Sequence, residues 1–114
     1  MRNKLSIENN NLIVEPQGLD KLWSLKNKLV IPLNHIAGAT LDNTILFDKK
    51  GLRSPGTAAL DYYAGSFHLN NEINFYNAKK GSDIIVIQLK EEHYNRLILE
   101  IDNPRQWIDK LNNI

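Results

Sequence analysis

The sequence predicts a mainly β domain that closes with one amphipathic helix at its carboxyl end and carries one short helix inside it. Three observations carry that prediction. Apolar residues alternate over short segments, those segments are punctuated by asparagine, glycine and lysine turn signals, and the period becomes helical after Asn103-Pro104. At 114 residues the chain fits a single domain, 1–114, large enough to bury a core without disulfides or metal.

Leu5 and Ile7, then Leu12, Ile13 and Val14, form two apolar segments around Glu8-Asn9-Asn10-Asn11. Asparagine tolerates the positive φ that tight hairpins demand, so a β-hairpin is predicted here. Past the Pro16-Gln17-Gly18 break, Leu19, Leu22, Trp23 and Lys26 fall at helical spacing and predict a short helix over 18–26. Leu29, Ile31 and Leu33 return to a strand period, with Pro32 marking an edge or a bend, and the strand is expected to resume after a kink over 36–41. Ala37-Gly38-Ala39 presents so little bulk that a neighbouring strand or helix is expected to approach it closely.

Residues 42–60 hold no sustained period. Within them Gly51-Leu52-Arg53-Ser54-Pro55-Gly56-Thr57 combines two glycines, a proline and a lone arginine, and predicts a stiff loop that either turns a corner or holds an anion. Residues 62–69 and 72–77 alternate around Asn70-Asn71 as a second hairpin. An almost continuous apolar strand over 83–89 follows, then a strand over 95–101 in which Leu97, Leu99 and Ile101 share a face. Four such strands in succession predict a meander. Asn103 is placed to cap a helix that starts at Pro104 and runs to the carboxyl end, with Trp107, Ile108, Leu111 and Ile114 as its apolar stripe.

Composition narrows the function classes. There is no cysteine, which removes thiol catalysis and thiolate metal sites and fits a reducing, cytoplasmic setting. Fourteen Lys and Arg stand against 13 Asp and Glu, a formal charge of +1, so no global field draws the chain to nucleic acid or to an anionic membrane. No apolar run approaches the roughly 20 residues of a membrane-spanning helix, and no apolar signal core follows Met1.

Three histidines, His35, His68 and His93, are the natural general bases or metal ligands, but their spacing matches no metal motif and each belongs to a different predicted segment. His35 is expected to hydrogen-bond loop backbone. Ser54, Thr57 and Ser66 lie in no motif that would activate a nucleophile and read as turn-capping hydroxyls. Asp61 with Tyr62 and Tyr63 either orients a substrate or opens a strand with one ring packed and one wet. Arg53, with Lys49, Lys50 and the amides of Gly51 and Gly56, is the best local anion site, unless Arg53 pairs with Asp48 or Asp61. Phe75, Tyr76, Lys79 and Lys80 come nearest to an aromatic and basic nucleic-acid strand, yet the two rings must lie on opposite faces.

Several stretches, GLDKLWSLK (18–26), IPLNHIAGA (31–39), KGLRSPGT (50–57), YAGSF (63–67) and IVIQLKEEHYNRLILEIDNP (85–104), resemble a group of small uncharacterised bacterial proteins with a pleckstrin-homology-like (PH-like) domain. The resemblance covers most of the chain. It implies a PH-like barrel or sandwich of about seven antiparallel strands with the carboxy-terminal helix, and binding of lipids, peptides or proteins as the class of activity. The first hairpin loop, Glu8-Asn9-Asn10-Asn11, lacks the cations that phosphoinositide-binding PH domains gather there, so that ligand is not expected.

The expected function is a non-enzymatic binding or scaffolding module without cofactor or metal. Its partner would be a protein, a peptide or a second copy, met by Lys49, Lys50, Arg53, Gly56, Tyr62 and Tyr63. Two other classes stay open: an anionic small-molecule site beneath the same loop with Arg53 as counter-ion, and a small enzyme using His68 or His93.

Overall fold

The turns decide the register of the strands. The structure, a computed structural model, describes residues 3–17, 28–47, 52–59 (backbone only) and 61–114. Asn9 and Asn10 take φ of 52° and 64°, and Asn70 and Asn71 take 53° and 64°. Both pairs form two-residue turns with positive φ throughout, whose twist matches that of the strands they join, and asparagine enters this region more readily than other non-glycine residues. The first joins β1 (Asn3–Glu8) to β2 (Asn11–Pro16), with Glu8 opposite Asn11. The second joins β6 (Tyr62–Leu69) to β7 (Glu72–Lys79), with Leu69 opposite Glu72. Both hairpins expected from the sequence are present.

The kink after Pro32 is a change of sheet. β3 (Leu29–Pro32) pairs with β2, whereas β4 (Ile36–Leu41), reached through a 3₁₀ turn at Leu33–His35, pairs with β8 (Ile84–Leu89) in a different sheet. Proline cannot donate to a ladder, so the chain leaves the first sheet where one hydrogen bond is already missing. The molecule is therefore mainly β in two sheets, of order β1-β2-β3 and β4-β8-β9-β7-β6-β5, and neither closes on itself. The predicted helix over 18–26 lies outside the described residues.

Three expectations are corrected. First, the stretch containing Arg53 and Gly56 is mostly strand rather than loop: β5 (Leu52–Ala59) pairs antiparallel with β6. Arg53 stands opposite Phe67 and Gly56 opposite Gly65, so Ser54 and Pro55 together oppose Ser66, and the extra residue is taken up as a bulge. A bulge breaks the alternation without ending the pairing, and an edge strand is where a residue without N–H is tolerated. Second, there are nine strands among the described residues, and one of their pairings is parallel. Third, the last four strands are not a meander: β9 (Arg96–Glu100) lies between β7 and β8, parallel to β7 and antiparallel to β8. Residues 80–83 cross the gap that β9 fills, a span of about two interstrand spacings, or roughly 9.5 Å, which four residues reach with ease.

Placing β8 and β9 in the middle explains why their sequences are apolar on both faces. Ile85, Ile87, Leu97 and Leu99 join Phe75, Leu12, Val14 and Ile31 in a core between the two sheets, while Ile84, Val86 and Ile98 join Tyr76, Phe67 and Leu46 on the opposite face. Phe75 and Tyr76 thus lie on opposite faces as expected, and both are buried. Neither ring is available to stack on a base.

Helix α1 (Pro104–Asn112) closes the core with Leu111 buried and Trp107 and Ile108 packed partly against it. It ends two residues short of the predicted end, and Ile114 is 56% exposed rather than part of the stripe. Asn103 precedes the helix in the left-handed region, φ 55°, and makes no side-chain cap, so Pro104 rather than the asparagine amide sets the start. The small-residue segment at 37–39 is where α1 docks. The Ala39 N–H donates to Asn112 Oδ1 at 2.8 Å, and Asn112 Nδ2 donates to the Ala39 carbonyl at 2.9 Å. A Cβ on Gly38 would stand 3.5 Å from the same Oδ1, so the helix, and not a ligand, makes the close approach.

Candidate functional site

Of the residues singled out from the sequence, Arg53, Gly56, Tyr62 and Tyr63 lie along one hairpin at the sheet edge. Lys49, Lys50 and Gly51 lie outside the described residues, and so do the side chains of Arg53 and Gly56. By register, Ala58 and Ala59 oppose Tyr63 and Tyr62, whereas Arg53 opposes Phe67. Phe67 is four residues along β6 from Tyr63, roughly 13 Å at the rise of a strand. Arg53 and the tyrosines therefore occupy opposite ends of the hairpin.

Tyr62 and Tyr63 are both half-buried and serve opposite faces. The Tyr62 hydroxyl donates to Asn77 Oδ1 at 2.5 Å. Asn77 Nδ2 in turn donates to Asn3 Oδ1 at 2.7 Å, and Asn3 Nδ2 donates to the carbonyls of Asn77 and Glu100, each at 2.9 Å. Asn3 and Asn77 are 1% and 0% exposed, so this chain of amides ties β1 of the first sheet to β7 and β9 of the second inside the protein. No sequence signal marks such a pair, because an asparagine in an alternating strand looks like any outward polar residue until the fold turns it inward. Tyr62 belongs to this structural network.

Tyr63 belongs to a surface cluster. Its ring packs edge-on against Phe67 at 6.3 Å, and Lys80 Nζ lies 5.9 Å from its centroid and 4.8 Å from that of Phe47. The same ammonium is 4.0 Å from Asp61 Oδ1, and the Lys80 amide donates to the Asp61 carbonyl at 2.9 Å. Phe47, at the end of the 3₁₀ turn Ile45–Phe47, is 68% exposed, the most exposed large apolar side chain among the described residues. Asp61 sits in the left-handed region at φ 65°, which aims the chain from β5 into β6 and leaves its carboxylate outside.

The histidines do not converge. His35 Nδ1 meets Glu92 Oε2 at 2.5 Å, and its own carbonyl accepts from the Lys90 amide at 2.9 Å. It is therefore a carboxylate, and not loop backbone, that holds the ring, and the pair fastens the β8–β9 loop to the 3₁₀ turn between the sheets. His68 is exposed on the rim of a recess of about 370 Å³ with Asn70, Asn71 and Glu72. His93 packs edge-on to Tyr94 at 4.8 Å. Among the described residues no three metal-ligating side chains assemble. Ser66 is a buried mid-strand residue rather than a turn cap, its Oγ 3.1 Å from the Tyr94 hydroxyl.

A further recess lies elsewhere. An open groove of about 700 Å³ runs between the first hairpin turn, the 3₁₀ corner and the β8–β9 loop, lined by Asn9, Asn10, Asn34, Leu33, Ile36 and Lys90. It offers one cation and no nucleophile. Among the described residues no helix is long and apolar enough to cross a membrane. Compared with known protein families, curated proteins and solved structures, the chain matches none.

Proposed function

We propose that this chain is a non-enzymatic binding module of PH-like type, which takes an extended segment of a protein partner, or of a second copy, as an added strand on β5. The observation that carries the reading is topological. β5 ends the six-stranded sheet, with β6 as its only strand neighbour among the described residues. An end strand presents a row of N–H and C=O groups, and strand addition uses them for affinity whatever the partner's sequence. The bulge divides β5 into an irregular part at Ser54–Pro55 and a regular stretch at Gly56, Thr57, Ala58 and Ala59, and the regular stretch is the template. The PH-like assignment is supported by two sheets sharing a core, a corner after β3, and a carboxy-terminal helix against β4. The nine strands and the parallel β7–β9 pair are departures from it.

The test combines solution mass by light scattering with hydrogen exchange of the β5 amides. Mass that rises with protein concentration, together with slowed exchange at 56–59, identifies a second copy as the partner. A constant monomer whose β5 amides are protected by an added alternating Val/Thr peptide identifies an extended segment. If neither concentration nor peptide slows exchange at 56–59, the reading fails.

A further inference from the structure

Phe47, Tyr63, Asp61 and Lys80 meet in an arrangement that the sequence does not announce, since they come from a 3₁₀ turn, a strand and two connections. Two aromatic rings and a carboxylate around an ammonium are the groups that attract an organic cation most strongly. The faces of both rings carry negative potential, and the carboxylate adds a full charge. In the free protein the cation is the chain's own. Lys80 stands 4.8 Å and 5.9 Å from the two centroids and 4.0 Å from the carboxylate, at the outer limit of an ion pair. A pair in which Asp61 is 68% exposed contributes little to stability, so Lys80, itself 25% exposed, is kept in place chiefly by the two rings, contacts that an incoming cation can replace in kind. Phe47 is itself 68% exposed, so much of its ring surface is open to a second cation even before Lys80 moves.

Position supplies the rest. Asp61 lies in the turn that ends β5, and Tyr63 is the register partner of Ala58 in the regular stretch of that strand. A segment added along β5 passes beside the cluster at its Gly56–Ala59 end. We infer that Phe47, Tyr63 and Asp61 form an exchangeable cation site, occupied by Lys80 in the free protein, which receives a lysine or arginine side chain from the segment bound on β5. This deepens the strand-addition reading and rests on it: it names the side chain that tells one extended partner from another. A partner rich in Asp or Glu would meet the Asp61 carboxylate and be rejected by like charge.

The experiment uses the full chain and two peptides of alternating Val and Thr that differ only in a central Lys or Glu, with tetramethylammonium as a third probe. Ring resonances of Phe47 and Tyr63 report on the cation site, and β5 amide shifts report on strand addition. The lysine peptide is expected to bind about two- to fivefold more tightly than the glutamate peptide, the size of an exposed cation–π contact. Phe47→Ala should reduce that preference, and Lys80→Ala should enlarge it. Equal binding of both peptides with unchanged rings overturns the cation site and leaves strand addition standing. Ring shifts with tetramethylammonium but no β5 shift with either peptide overturns strand addition, and with it the assignment of the cation to a β5 partner. A Lys80→Ala protein that binds no cation more tightly than the parent shows that Lys80 is fixed packing and refutes the exchange.

Discussion

Asparagine carries more of this structure than any other polar residue, and it does so in three different ways. At Asn9, Asn10, Asn70 and Asn71 it accepts positive φ. At Asn112 it mimics a backbone partner for Ala39, and at Asn3 and Asn77 it forms a buried amide pair. Only the first role is legible in the sequence, because a turn depends on its immediate neighbours, whereas the amide pair joins residues 74 positions apart. The pair makes a sharp prediction. Asn77→Ala removes an acceptor of the Tyr62 hydroxyl and the donor to the buried Asn3 Oδ1, and a buried polar group that loses its partner costs about 1–3 kcal/mol. The variant should lose about 2–3 kcal/mol in urea unfolding, while Tyr62→Phe should lose about 1 kcal/mol. A loss for Asn77→Ala no larger than that for Tyr62→Phe would show that the network does not hold the sheets together. His35 and Glu92 form a second contact of this kind at the molecule's edge. Glu92→Ala should cost about 1 kcal/mol and speed hydrogen exchange at the Lys90 amide, which His35 accepts.

At the scale of elements, local signals predicted the strands well and the stretch around Arg53 badly. β1, β2, β6 and β7 alternate because one side of each segment enters a core, and Asn-Asn turns set their pairing. The turn chemistry is testable. Asn71→Gly should keep or slightly raise stability, since glycine enters φ near 64° without strain, whereas Asn71→Val should cost about 1–2 kcal/mol. Thermal unfolding of the two variants measures the difference. The β5 sequence predicts a loop because glycine and proline usually end strands, and here they build a bulge within one. That distinction depends on whether β6 supplies partners, which no window of the β5 sequence contains. The same limit applies to the site. Nothing near Lys80 or Phe47 along the chain pairs them, and they form a candidate cation site only because the β5–β6 turn and the 3₁₀ turn lie side by side.

For the whole molecule, the order of strands is the main result that periodicity could not supply. β9 separates β7 from β8, and β4 pairs with β8 across more than forty residues, Leu41 opposite Ile85. Pairings so distant in sequence make loop-closure entropy a large part of the folding barrier, so refolding is expected on the millisecond-to-second scale of β-rich domains rather than in microseconds. Stopped-flow tryptophan fluorescence tests this, with Trp107 packed against the core as a reporter. Leu111→Ala should cost about 2–5 kcal/mol, because Leu111 is the buried side chain of α1 and its loss opens a cavity in the core. By itself the sequence determined the β-rich class, the two Asn-Asn hairpins, the apolar strands, expected over 83–89 and 95–101 and found at 84–89 and 96–100, and the carboxy-terminal helix, because each follows from residues near one another along the chain. The tertiary structure alone decided that the chain changes sheets at Leu33–His35, that β9 enters between β7 and β8, that Asn3 meets Asn77, and that Lys80 lies between Phe47 and Tyr63. Those outcomes follow from burying both faces of one sheet at once, a condition imposed by the assembled core and by no single segment.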